Sequence, residues 1–171
     1  MQEGPFTDAD GLRRKIRALV GVFIAALILS GITAFPLRHE LNLLAGLLGA
    51  DAPGHPEGGL LWWIRTVRDG LADTDMRYPW MAYGTDWLAF AHLAIAVFFI
   101  GPWRDPVRNI WILHAGMIAC VGVVFLALIC GPIRGIPLYW RLIDCSFGVG
   151  AFPILGWIVK LTRRLEKLTR R

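Results

Sequence analysis

Four apolar stretches, each close to the length that crosses a bilayer, constrain this chain more than any other feature. They run roughly from Ala18 to Leu37, Met81 to Gly101, Ile110 to Gly131 and Leu142 to Lys160. A hydrocarbon core of ~30 Å takes ~20 helical residues. In lipid every backbone N–H and C=O needs an internal partner, so such segments are helices rather than open strands. The chain therefore reads as all-α, an integral membrane four-helix bundle forming one domain over residues 1–171. The spans use about half of the 171 residues, which leaves no room for a separate soluble domain.

The formal net charge of +5 invites a nucleic-acid reading, but its placement argues against one. The basic residues crowd the span ends, where they set orientation. Of the 18 Lys and Arg, twelve lie on one proposed side: Arg13, Arg14, Lys15, Arg17, Arg104, Arg108, Lys160, Arg163, Arg164, Lys167, Arg170 and Arg171. The other six, Arg38, Arg65, Arg68, Arg77, Arg134 and Arg141, are spread over two loops on the opposite side. This predicts cytoplasmic N- and C-termini. The first apolar run, ending in Ile32-Thr33-Ala34, superficially looks like a signal peptide. It is longer than the usual 7–15 residues of a signal core, so it reads as an uncleaved first span. Residues 1–12 are polar and read as loose chain ahead of it.

The connection from residue 38 to 79 is the only long one, and it is patterned. Leu37, Leu41, Leu44 and Leu48 recur at helical spacing, and so do Leu60, Ile64, Val67 and Leu71. Arg38, Asn42, Arg65, Arg68 and Asp69 fall on the opposite faces. Asp51-Ala-Pro-Gly-His-Pro-Glu-Gly-Gly breaks the two sets. The expectation is two short amphipathic helices at the outer interface. Gly101-Pro-Trp-Arg-Asp-Pro-Val-Arg makes a tight inner turn and Gly131-Pro-Ile-Arg-Gly-Ile-Pro an outer one. The tail from Lys160 continues as a basic helix with Leu161, Leu165 and Leu168 towards the membrane surface.

Ionisable groups inside a span are costly and are functional candidates by default. Asp86 falls about one and a half turns into the second span, ~7 Å at 1.5 Å per residue. Asp144 falls in the first turn of the fourth, where the helix dipole favours a negative charge. Arg141 precedes Asp144 by three residues on the same face. Arg134, Arg38, His39 and Glu40 are expected at a similar height. These residues, with Tyr83, make a candidate polar ligand site in the outer half. Trp62, Trp63, Trp80, Tyr83 and Trp87 would supply an apolar wall. The same carboxylates read equally as a structural lock, with Asp86 paired to Arg141 or Arg134.

His92 and His114 lie on adjacent antiparallel spans, the minimum for bis-imidazole ligation of a b-type haem. Their heights differ by ~6 Å, which favours histidines that pack helices instead. The three cysteines have no metal or redox spacing, and no metal site is expected. Cys130 and Cys145 both fall near the outer face, and spacing does not establish a disulfide between them. Ser146, Gly148 and Gly150 read as small-residue packing, and Gly148, Ala151 and Gly156 as sites of close helix approach.

Gly31-Ile-Thr-Ala-Phe-Pro-Leu and Tyr83-Gly-Thr-Asp-Trp-Leu-Ala-Phe-Ala-His resemble segments of an uncharacterised group of small bacterial four-span membrane proteins. So do Gly131-Pro-Ile-Arg-Gly-Ile-Pro and Trp140-Arg-Leu-Ile-Asp-Cys-Ser-Phe-Gly. The resemblance implies a bacterial inner membrane and no activity. The leading functional expectation is an accessory subunit or a module binding a lipid or small lipophilic ligand. Its partners are membrane lipids, with a membrane protein or a second copy as a further partner class. The rivals are a haem electron carrier through His92 and His114, and an intramembrane enzyme using the outer carboxylates on a lipid-linked substrate. A transporter is a weaker choice, because no inverted repeat is evident.

Overall fold

Each apolar stretch forms one long helix in the computed structural model, which describes residues 5–170. In chain order these residues form α1 (Pro5–Ala34), α2 (Leu37–Leu48), α3 (Leu60–Arg77), a 3-10 turn (Pro79–Ala82), α4 (Tyr83–Arg104), α5 (Ile110–Ile133) and α6 (Leu138–Thr169). Among the described residues there is no strand. Helices α1, α4, α5 and α6 are long and apolar enough to cross a membrane. No more than 28% of the most apolar window of any of them is buried within the chain. Val22, Val97, Ile118 and Phe147 stand exposed along them. Apolar surface on that scale needs lipid around it, and the protein is a multi-pass membrane protein.

The chain divides into two units, one of Met1–Ala25 with Ala96–Arg171 and the other of Ala26–Ile95. The first unit is built on α5 packed against α6. Small residues let them approach: a Cβ on Gly148 would run into the backbone carbonyl oxygen of Cys120. Such contacts replace the hydrophobic drive that helices lack inside lipid. Leu113, Leu155, Ile158 and Leu165 fill the core. Leu12, Ile16 and Val20, spaced by four, bury one stripe of α1 beside them. Phe23 and Phe99 stack at 4.7 Å, and Phe99 reaches the space over Gly116.

Two turns close this unit. Asn109 Nδ2 donates to the carbonyls of Gly101 (3.2 Å) and Asp105 (2.9 Å), and the Arg108 N–H donates to Asp105 Oδ1 at 3.1 Å. These side chains reinforce backbone bonds from the Asp105 N–H to the Gly101 carbonyl (2.9 Å) and from the Asn109 N–H to the Asp105 carbonyl (3.2 Å). After α5, Gly135 takes φ +70°, open to glycine without strain, and the Ile136 N–H returns to the Gly131 carbonyl at 3.0 Å. Asp8 pairs with Arg164 at 3.3 Å, and Arg17 sits over the Trp103 ring at 5.9 Å. The start of α1, the end of α4 and the end of α6 thus share one basic end.

In the second unit α2 stops at Gly49, whose φ of +65° reverses the chain. Arg68 then holds Asp51 with two bonds of 2.8 Å and also bonds Asp69 at 2.9 Å. Arg38 of α2 pairs with Asp75 of α3. Leu41, Ala45 and Ile64 are the buried residues of these helices. Towards the start of α4, a Cβ on Gly31 would come within 3.0 Å of the Ala89 carbonyl oxygen and the Leu93 side chain.

The Arg68 guanidinium holds the Asp51 carboxyl below the usual carboxylate range. A lowered folded-state pKa contributes stability above the unfolded value of ~3.9, and that contribution is lost as pH falls through the folded one. The stability difference between wild type and Asp51→Asn, read from thermal unfolding, should be full at pH 7, start to shrink near the unfolded value of ~3.9 and be lost as pH falls through the lower folded-state value. A difference that acidification left unchanged would contradict the pairing.

Three sequence expectations are corrected here. Helix α1 starts at Pro5, so most of residues 1–12 is helical rather than loose chain, with Asp8 in the first turn and tied to Arg164. Leu165 in the tail is buried at 1% exposure instead of facing the membrane surface. The two candidate carboxylates also exchange positions. Asp86 occupies the first turn of α4, because Pro79–Ala82 forms a separate 3-10 turn. Asp144 lies beyond the first turn of α6, because that helix starts at Leu138 after Pro137.

Candidate functional site

The residues of the candidate polar site fall in both units. In the first, Arg141 lies in the opening turn of α6 and Asp144 one turn later. The Arg141 stem lies over Gly131 of α5, in the space that a Cβ there would fill. Its Nε is buried and has no hydrogen-bond partner. Neither Arg141 nor Asp144 enters an ion pair among the described residues. Both are half-buried, whereas Arg134, at the end of α5, is exposed.

A desolvated donor on a charged group costs more than the ~1–3 kcal/mol of a neutral one. Arg141 keeps this Nε unmatched among the described residues although its side chain is only half-buried. Asp144 beside it supplies a hydrogen-bond acceptor. The pair can hold a ligand carrying both an acidic and a donor group, as well as a water bridge. Three residues apart on one helix, the two side chains share a face.

In the second unit Asp86 is half-buried and Tyr83 exposed. Tyr83, Trp87 and Phe90 stack edge to face in series at 6.0 and 5.8 Å. Trp80, Tyr83 and Trp87 are all more than half exposed, so their rings form an outward surface at the start of α4. His39 lines a shallow cleft of about 420 Å3 with Phe35, Pro36, Arg38 and Asn42. Glu40 falls in the first turn of α2. Trp63 buries an indole N–H without a partner.

His92 lies in the second unit, with Nδ1 2.8 Å from the Leu88 carbonyl oxygen one turn back on its own helix. His114 lies in the first unit and lines a cleft beside α6. Among the described residues no three His, Cys, Asp or Glu side chains gather to hold a metal ion. Cys120, Cys130 and Cys145 are all free thiols. Ser146 is exposed and donates back to the Ile143 carbonyl of its own helix at 2.6 Å, and a Cβ on Gly150 would meet no atom within 4 Å, so of the expected packing residues Ser146, Gly148 and Gly150 only Gly148 makes the close approach to α5.

The sequence reading missed the cleft at His114. Its signal was available: Phe152, Gly156, Lys160 and Arg163 recur at three- and four-residue steps along one face of α6. No protein-family model, no curated protein and no solved structure matches the chain.

Proposed function

We propose that this protein is a non-catalytic module of a bacterial inner membrane that binds a lipid or small lipophilic ligand from the outer side, as an accessory subunit or on its own. Arg141 and Asp144 form the polar end of the site. The observation that carries this reading is the buried, unpartnered Nε of Arg141. A charge retained at that cost inside a membrane segment has a use, and among the described residues none forms an ion pair with it.

Lipid extract of the host membrane, added to delipidated protein, is expected to raise the melting temperature of wild type by about 5–10 °C at saturation. Arg141→Gln is expected to show a clearly smaller rise. An equal rise in both would remove Arg141 from the site.

Both termini are cytoplasmic in this reading, supported by the twelve-to-six division of basic residues. In a chain lacking Cys120, Cys130 and Cys145, single cysteines at Arg13, Pro53 and Lys167 report the sides. A membrane-impermeant maleimide applied to intact cells is expected to label only Pro53→Cys. Labelling of Arg13→Cys and Lys167→Cys instead would invert the orientation.

A further inference from the structure

At the basic end of the first unit, α5 and α6 flank a cleft of about 650 Å3. That volume falls within the ~300–1,000 Å3 of small-molecule sites. Its walls are the apolar side chains of Met117, Phe152 and Trp157, and its rim carries His114, Lys160 and Arg163. The opening exists because Gly156 contributes no side chain, which leaves Met117 Cε 3.7 Å from where a Cβ would stand.

The height of the cations decides what fits. Lys160 lies about 33 Å along α6 from Leu138, at 1.5 Å per residue. With Leu138 at the opposite edge, a hydrocarbon core of ~30 Å ends near Lys160, and Arg163 stands one turn beyond. Phe152 and Trp157 lie at hydrocarbon depth. Nearby cations are already neutralised, Arg164 by Asp8 and Arg170 by Glu166. Lys160 and Arg163 have no ion pair among the described residues. A soluble anion would leave the apolar walls uncovered, and a neutral lipid would leave the two charges unmatched.

We propose that this cleft seats one anionic phospholipid, its headgroup phosphate between Lys160 and Arg163 and an acyl chain against Met117, Phe152 and Trp157. The site is independent of Arg141 and Asp144. It makes the protein selective for anionic over zwitterionic lipid at its basic end.

The test is native mass spectrometry of the delipidated full-length protein, titrated with phosphatidylglycerol or phosphatidylcholine of identical chains. Wild type is expected to prefer phosphatidylglycerol by about tenfold, the scale of two cations at an anionic headgroup. Lys160→Gln with Arg163→Gln should bring the preference to within about twofold of parity. Arg13→Gln with Arg14→Gln, equally exposed at the same end, should retain it. Gly156→Leu, which fills the cleft and leaves both cations, should also lose it. Glycerol 3-phosphate should not compete. The proposal is overturned if wild type shows no preference, or if the Lys160 and Arg163 variant or the Gly156 variant keeps it. It is equally overturned if both double variants lose it alike, or if glycerol 3-phosphate displaces the lipid.

Discussion

Gly148→Ala should destabilise the protein by about 3 kcal/mol, the upper end of what overpacking costs, whereas Gly150→Ala two residues away should cost nothing. Both changes add one methyl group to the same helix. At Gly148 the new carbon would collide with the Cys120 carbonyl oxygen, while at Gly150 it meets no atom within 4 Å. A flexible side chain can move aside, but a backbone carbonyl inside α5 cannot without parting the two helices. Gly150→Ala even gains up to ~1 kcal/mol of helix propensity. The check is thermal unfolding in one detergent, read by near-UV circular dichroism. Gly148→Leu should abolish the folded protein. If the two alanine variants melted together, the α5–α6 contact would not be the seam of the first unit.

Arg141→Met separates a ligand-binding residue from a structural one. A buried charge that serves as one half of an internal lock leaves its partner uncompensated when removed, at a cost of ~3–5 kcal/mol. Arg141 has no such partner among the described residues, and its Nε is buried unmatched. Methionine has a comparable unbranched stem to lie over Gly131. Replacing a whole buried ion pair by apolar side chains of similar volume is often neutral or stabilising by ~1–4 kcal/mol, and a lone charge without a partner has still less attraction to lose. The ligand-free variant should therefore melt at or above wild type, by up to about 2 kcal/mol because Arg141 is only half-buried. In the Lys160→Gln, Arg163→Gln background the stabilisation by lipid extract should disappear. A loss of ~3 kcal/mol or more without ligand would restore the lock reading.

The spans and the two loop helices were legible because each rests on a local rule. Hydropathy marks the first, and leucine spacing between turn residues marks the second. What was missed depends on contacts far apart in sequence or on local backbone choices at proline. The start of α1 at Pro5 is tied to Asp8 meeting Arg164, more than 150 residues away. Leu165 is buried because the tail of α6 runs straight on into the core of the first unit. Asp86 and Asp144 traded places because Pro79 begins a 3-10 turn and Pro137 sets the start of α6.

The candidate site was half legible. Arg141 and Asp144 stood out as polar residues at a span end, and their shared face follows from spacing alone. That Arg141 would lie across Gly131 with a buried, unpaired Nε could not be read from the sequence. It depends on the register between α5 and α6, set by Gly148 against Cys120. His114 drew notice as a histidine on an apolar helix, and its neighbours across the cleft gave it a different setting.

The measurement that bears most directly on ligand binding is the native mass of the full chain released from mild detergent. It is best read in the Lys160→Gln, Arg163→Gln background so that phospholipid at the basic end does not contribute. One lipophilic molecule should ride above the 19.1 kDa chain, persist in Arg134→Gln, and be lost in Arg141→Met. A bare chain in every sample, a haem-sized addition that depends on His92, or an addition that Arg141→Met leaves in place would contradict the account.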